Sequence, residues 1–88
     1  MTSRLNKPHF LTLADLPKIG LSRVRAVPGN DPIAVRLREL GFTPGTEVVF
    51  VRQAPFGGPM VVDLRGYQLC LRPSEAQLIL VESPAEPS

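Results

Sequence analysis

The sequence has 88 residues, with ten basic and eight acidic side chains and a net charge of +2 at pH 7. This length allows one small domain, and an apolar share of 43% is enough for a packed interior, so the composition excludes an intrinsically disordered chain. The small charge excess does not require a polyanionic partner, and ten prolines with seven glycines favour short strands joined by turns over long helices.

Cysteine usage and hydropathy limit the class of protein further. Cys70 is the single cysteine, so no internal disulfide can form and a reducing compartment is expected. The apolar stretch Phe10–Ala14 is shorter than the core of a secretory signal. The longest apolar runs, Val48–Val51 and Leu78–Val81, have four residues each, far fewer than the roughly 20 that span a bilayer. The sequence therefore predicts a soluble, cytoplasmic protein without direct membrane insertion.

Polar segments frame the predicted domain. Residues 1–10 and 83–88 are polar or proline-rich, so both are expected to be frayed tails around a domain at residues 11–82. The first element is a helical turn with apolar residues at every third position: Leu13, Leu16 and Ile19. Arg23–Val27 then alternates charged with apolar residues and predicts a half-buried first strand.

The clearest helix signal starts at Asp31. An aspartate can accept the free amide protons of a first helical turn, and Pro32 suits the position that follows it. Ile33, Leu37 and Leu40 recur at i, i+4 and i+7 and are predicted to form the buried stripe. A glycine stands directly after them, where helices often end. The segment therefore predicts a short helix of about two to three turns.

A proline–glycine turn at Thr43–Thr46 introduces the second predicted strand, Glu47–Gln53. Val49 and Val51 are apolar, although the alternation of a strand places them opposite the core-facing residues. Their face is therefore expected to be covered by the helix or by a partner. A six-residue hairpin loop, Ala54–Pro59, follows this strand.

Three more strands complete the predicted fold. The first of them has Met60, Val62 and Leu64 on one face. In the second, Tyr67, Leu69 and Leu71 are expected to face inward. The last strand, Leu78–Val81, is preceded by a helical turn at Pro73–Ala76. Five short strands with one helix after the first strand are typical of an all-β, partly open SH3-like barrel. An OB-like barrel is the nearest competitor, but it needs longer strands and a later helix.

The segments Leu37–Val48, Arg52–Pro59 and Leu64–Arg72, the last followed by Glu75-Ala76, resemble in order and spacing the motifs of the FeoA family of bacterial ferrous iron uptake. The resemblance covers about residues 11–82. It implies an SH3-like barrel, an association with transition metals such as iron or zinc, and an accessory role beside a FeoB-type membrane permease with a GTPase domain. The same barrel occurs in metal-dependent repressors, but this chain has no helix-turn-helix for a repressor role.

Catalytic and metal-ligating residues are sparse. A nucleophile needs a neighbouring base, yet the single histidine, His9, lies in a predicted tail and Cys70 lies in mid-strand. The sequence therefore predicts no enzyme. Asp63 and Glu47 are further ligand types, but no pair of these residues has the spacing of a metal site. No metal ligand and no cofactor is assigned.

A small RNA-binding barrel is the alternative function. Several arginines lie on or near the predicted strands: Arg23, Arg25, Arg52, Arg65 and Arg72. RNA binding of this kind needs aromatic platforms between the charges, and the candidates are Phe56 and Tyr67, of which Tyr67 is in phase with core leucines. Nucleic acid is therefore not the expected partner.

The best-supported site is the tip of the Ala54–Pro59 loop, where an aromatic ring is hard to bury. Two uses of Phe56 stay open, since its ring either contacts a partner or folds back to cap the open end of the barrel. The predicted partner-binding residues are Pro55, Phe56, Gly57, Gly58, Val49 and Val51. Val49 and Val51 would also suit a homodimer contact.

Overall fold

A computed structural model of the chain describes residues 11–82, without the side chains of Lys18 and Ile19. Six strands form one antiparallel sheet: β1 Leu11–Thr12, β2 Leu21–Ala26, β3 Glu47–Gln53, β4 Met60–Leu64, β5 Tyr67–Leu71 and β6 Leu80–Glu82. The helical segments are a 3-10 turn at Leu13–Asp15, α1 Leu16–Ile19, α2 Pro32–Leu40 and α3 Pro73–Ala76. The strand order is β1-β6-β2-β3-β4-β5. No helix within residues 11–82 is both long and apolar enough to cross a membrane.

The predicted all-β class is confirmed, and the sheet has six strands where about five were predicted. The missing strand is β1, which pairs with β6 through Leu11 opposite Val81. A two-residue strand has no alternation, so it can be recognised only from its pairing across the chain. The main helix therefore follows the second strand rather than the first. β6 also starts later than predicted, because the amide of Leu78 still donates to the carbonyl of Glu75, at 3.0 Å.

Helix α2 has the predicted bounds but a different buried face. Ile33 is 46% exposed, whereas Ala34 and Leu37 are completely buried and Leu40 is half-buried. Helix α2 thus packs on the core through Ala34, Leu37 and Leu40, which are spaced by three. The prediction that Ile33 belongs to the buried stripe was wrong. Asp31 occupies the N-cap position, but its carboxylate makes no capping hydrogen bond among the described residues.

The core is one cluster of buried side chains from the sheet, from α2 and from the shorter helical segments at Leu13–Asp15, Leu16–Ile19 and Pro73–Ala76. Its largest fully buried side chains are those of Phe42, Leu13, Leu16, Leu37, Met60, Leu64 and Ile79. Gly41 ends α2 with a φ of 123°, and its amide and that of Phe42 donate to the carbonyls of Arg38 and Leu37 at 3.1 and 3.2 Å. This reversal turns the chain sharply enough for the ring of Phe42 to enter the core directly after the helix.

Tyr67 was predicted to face inward, and that prediction was wrong. Its side chain is 47% exposed, and its hydroxyl donates to the carbonyl of Leu40 at 2.5 Å. Leu69 is half-buried, and Leu71 alone on this strand is fully buried. Tyr67 directly follows the two-residue turn Arg65–Gly66, at the end of the sheet, so its ring covers the end of α2 instead of filling the core.

Arg38 fastens α2 to the connection that follows β2. Its Nη1 atom donates to the carbonyls of Val27 and Gly29, at 2.5 and 2.9 Å. We expect Arg38→Met, which keeps the aliphatic stem, to lower the free energy of unfolding by about 1–2 kcal/mol, because the partly buried carbonyl of Val27 and the exposed carbonyl of Gly29 lose a charged donor. Urea denaturation measures the change. Arg36→Met is the matched control, and it should cost about 0.5 kcal/mol because the Arg36 side chain is 61% exposed and an ion pair with an exposed partner contributes little to stability; equal losses would contradict the fastening role of Arg38.

Candidate functional site

The Ala54–Pro59 loop is closed at its base by hydrogen bonds. The amide of Ala54 donates to the carbonyl of Pro59 at 2.9 Å, and the amide of Gly58 donates back to the carbonyl of Ala54 at 3.3 Å. Nε2 of Gln53 adds a bond to the carbonyl of Gly58 at 3.0 Å. The loop conformation is therefore fixed by bonds in which no aromatic side chain takes part.

Phe56 lies at the tip of this loop and is fully exposed, at 103% of its reference area. Its backbone is left-handed, with a φ of 62°, a conformation that costs a non-glycine residue about 1 kcal/mol or more. The alternative in which the ring caps the barrel was wrong, because a fully exposed ring touches no core. Phe56 thus lowers stability through its backbone and contributes no packing to the fold.

The two valines predicted as partner-binding lie on β3 but are not equivalent. Val49 is 43% exposed and stands opposite Leu21 of β2, another exposed apolar residue. The register between β3 and β4 shifts between Phe50 and Arg52, so Val51 is the extra residue of a β-bulge and is half-buried. Of the two predicted covers for this face, the helix does not cover Val49, which forms a small exposed apolar pair with Leu21.

A groove of about 520 Å³ opens beside the loop. Its walls include Ile33, Arg36, Pro59, Cys70, Arg72 and Glu75. Nη2 of Arg36 lies 2.9 Å from Oε2 of Glu75, and the other carboxylate oxygen of Glu75 accepts the amide of Arg72 at 2.9 Å. Glu75 is the one acidic residue among those that line the groove, and both of its carboxylate oxygens are bonded. The charge that remains accessible in the groove is therefore the positive charge of its arginines. Sequence reasoning missed the groove, since its walls come from segments far apart in the chain.

Three of the residues weighed as metal ligands lie in the described part of the chain, and two of them, Glu47 and Asp63, line one shallow pocket together. In the described part of the chain, no three histidine, cysteine, aspartate or glutamate side chains form a group that could hold a metal ion. Cys70 is exposed on β5, and Glu47 lies 3.7 Å from the guanidinium of Arg23. Asp63 accepts a hydrogen bond from the turn after β4, and His9 lies outside the described residues.

Two arginines of the RNA alternative are engaged within the fold, and its two aromatic residues lie apart. Arg23 pairs with Glu47, and the guanidinium of Arg65 donates to a threonine hydroxyl at 3.2 Å. The loop that carries Phe56 lies directly before β4, and the turn that leads to Tyr67 lies directly after β4. The two rings therefore lie at opposite ends of β4, which is roughly 15 Å long. This arrangement adds no support for a stacking platform.

Residues 11–83 match the family model of the FeoA domain. The structure resembles that of Stenotrophomonas maltophilia FeoA complexed with zinc, with 41% identity, a TM-score of 0.72 and coverage of 82% of this chain and 89% of that chain. A FeoA-like protein from Clostridium acetobutylicum is 31% identical, with a TM-score of 0.79 and coverage of 92% and 94%. FeoA from Chlorobium tepidum is 29% identical, with a TM-score of 0.76 and coverage of 89% and 74%. No match was found among curated proteins.

The Stenotrophomonas protein is described as a procaryotic SH3 domain protein and is put forward as a ferrous iron transport activating factor. The predicted SH3-like fold is thereby confirmed, and so is the resemblance drawn from the three sequence motifs. The match spans most of the chain and includes both the Ala54–Pro59 loop and the groove beside it. This chain belongs to the FeoA family, whose members are associated with ferrous iron transport.

Proposed function

We propose that this chain is a non-enzymatic, cytoplasmic accessory protein of ferrous iron uptake. It docks on the cytosolic part of a FeoB-type, GTPase-linked permease through the Ala54–Pro59 loop. The observation that carries the proposal is Phe56, a fully exposed ring in left-handed backbone. A residue that violates local preferences without helping the fold is typical of a functional contact.

The energetics of the loop suit a single aromatic anchor. Transfer of a phenylalanine ring from water into an apolar pocket contributes roughly 2–3 kcal/mol, and such anchors often dominate an interface. The hydrogen bonds at the base of the loop hold its backbone before binding, which lowers the ordering cost. Neighbouring surfaces supply the remaining contact area, and the groove is the nearest because it shares Pro59 with the loop.

We expect Phe56→Asn to weaken docking about tenfold or more, because the anchor is removed. The same exchange should leave the free energy of unfolding unchanged or raise it by up to about 1 kcal/mol, since asparagine adopts left-handed backbone more readily. Affinity for the purified cytosolic part of the permease measures the first effect, and ferrous iron uptake in cells reports its consequence. Urea denaturation of the same preparations measures the second.

Pro44→Ala serves as the control, because Pro44 is an exposed turn residue at the opposite end of β3 and its loss should leave docking intact. Val49→Ala tests separately whether the exposed pair on β2 and β3 also contacts the partner. Unchanged docking by Phe56→Asn would rule out the loop as the anchor. A stability loss above about 1 kcal/mol would show instead that the ring packs against the fold.

A further inference from the structure

Strand β5 forms one edge of the sheet and pairs with β4 alone among the described strands. Leu64 and Tyr67 flank the two-residue turn and stand opposite each other, as the hydrogen-bonded pair that closes such a hairpin. The alternation of an antiparallel ladder then directs the amide and carbonyl of Leu69 toward β4 as well. The amides and carbonyls of Gln68 and Cys70 point away from β4, to the open edge.

This edge lacks the usual protection against strand addition. Within residues 11–82, no backbone hydrogen bond from another segment reaches Gln68 or Cys70, and both residues are exposed. Edge strands are normally blunted by lysine, proline or a bulge. Tyr67–Leu71 contains no lysine or proline, and its pairing with β4 is in continuous register. The edge is thus a template for a further strand.

The groove described above runs beside this edge, since Cys70 of β5 and the adjacent Arg72 line it. Ile33 and Pro59 give it an apolar part. Its charged part is positive, because the carboxylate of Glu75 is already bonded to the guanidinium of Arg36 and to the backbone before α3. A strand added to β5 would therefore meet apolar and cationic side chains at its alternate positions.

We propose that the β5 edge binds an extended acidic segment of a partner protein by strand addition. Main-chain hydrogen bonds to Gln68 and Cys70 hold the segment in place, an acidic side chain contacts Arg72, and an apolar side chain contacts Ile33. A second copy of this chain suits the edge less well, because pairing β5 with β5 brings two cationic grooves together. This proposal is independent of the docking role proposed for the Ala54–Pro59 loop, since it uses none of the residues at the tip of that loop.

Nuclear magnetic resonance on the ¹⁵N-labelled full chain tests the proposal with two capped hexapeptides. One alternates valine with glutamate, and the other alternates valine with lysine. We expect the glutamate peptide to shift the amide resonances of Gln68 and Cys70 and to bind at least about fivefold more tightly than the lysine peptide. In the free chain, the amides of Gln68 and Cys70 should exchange with solvent faster than that of Leu69.

Charge reversal at Arg72 gives the sharpest comparison. Arg72→Glu should weaken binding of the glutamate peptide at least about fivefold, whereas Arg52→Glu, the same charge change on β3, should not. The Phe56→Asn variant should bind the glutamate peptide as well as the parent chain does. A result against docking through the Ala54–Pro59 loop is therefore distinguishable from a result against strand addition at β5. The proposal is overturned if neither peptide binds, if both bind equally, or if Arg72→Glu has no effect. Shifts of Gln68 and Cys70 that follow protein concentration without peptide would identify a second copy as the occupant.

Discussion

Replacement of Phe42 by alanine should lower the free energy of unfolding by about 3–5 kcal/mol. The ring is completely buried and is the largest side chain of the core, so its removal leaves a cavity that the short strands around it cannot fill. Domains of this size have total stabilities of about 5–10 kcal/mol, and the variant would therefore be close to unfolding at 37 °C. Urea denaturation followed by circular dichroism measures the loss.

Phe42→Leu provides the matched comparison, because it keeps most of the apolar volume and should cost about 1–1.5 kcal/mol. A loss below about 2 kcal/mol for Phe42→Ala would contradict the position of the ring in the core.

The second large effect is expected at Gly41, where alanine should cost about 2–3 kcal/mol. The φ of 123° is one that L-residues rarely adopt, and an added Cβ would lie 3.1 Å from Cδ2 of Leu64. The variant thus combines backbone strain with crowding against the core. Thermal and urea denaturation measure the loss.

Gly45 separates these two causes. It also has a left-handed backbone, with a φ of 91°, but an added Cβ would meet no atom within 4 Å. Gly45→Ala should therefore cost about 1 kcal/mol from backbone strain alone. If both glycine variants lost equal stability, the crowding against Leu64 would be refuted.

Elements specified by local chemistry were predictable from the sequence. A proline after an N-cap residue and a glycine at the end fixed the bounds of α2, Pro32–Leu40. The turn at Thr43–Thr46 is formed as its proline and glycine predict, with the amide of Thr46 donating to the carbonyl of Thr43 at 3.1 Å. Each signal lies within a few residues and needs no knowledge of the remaining chain.

Features decided by distant packing were not predictable. Ile33 and Ala34 are adjacent, and hydrophobicity alone favours burial of isoleucine, yet the space beside the sheet accepts the smaller side chain. Tyr67 has the correct phase for the core, but it stands where the sheet ends and instead bonds to the carbonyl of Leu40. Propensity and periodicity describe a segment, whereas burial depends on which other segment lies opposite.

The candidate site also contains one feature that the sequence could predict and others that it could not. The proline and glycine neighbours of Phe56 left two alternatives, a ring exposed at the loop tip or a ring folded back on the barrel. In the structure the ring is exposed. The groove and the open edge of β5 have no local signal, because Ile33, Pro59 and Cys70 become neighbours only when the sheet forms. Leu21 likewise lay just before the predicted first strand, and only its pairing with Val49 shows the exposed apolar pair.

The pairing of β1 with β6 also bears on how this domain can be joined to other chains. Leu11 stands opposite Val81, so the chain enters and leaves the sheet at points only about 5 Å apart. A short linker could therefore join these two points, and the chain could be opened instead in an exposed loop, giving a circular permutant. The same closeness would allow the whole domain to be inserted into a surface loop of a host protein without forcing the host's strands or helices apart.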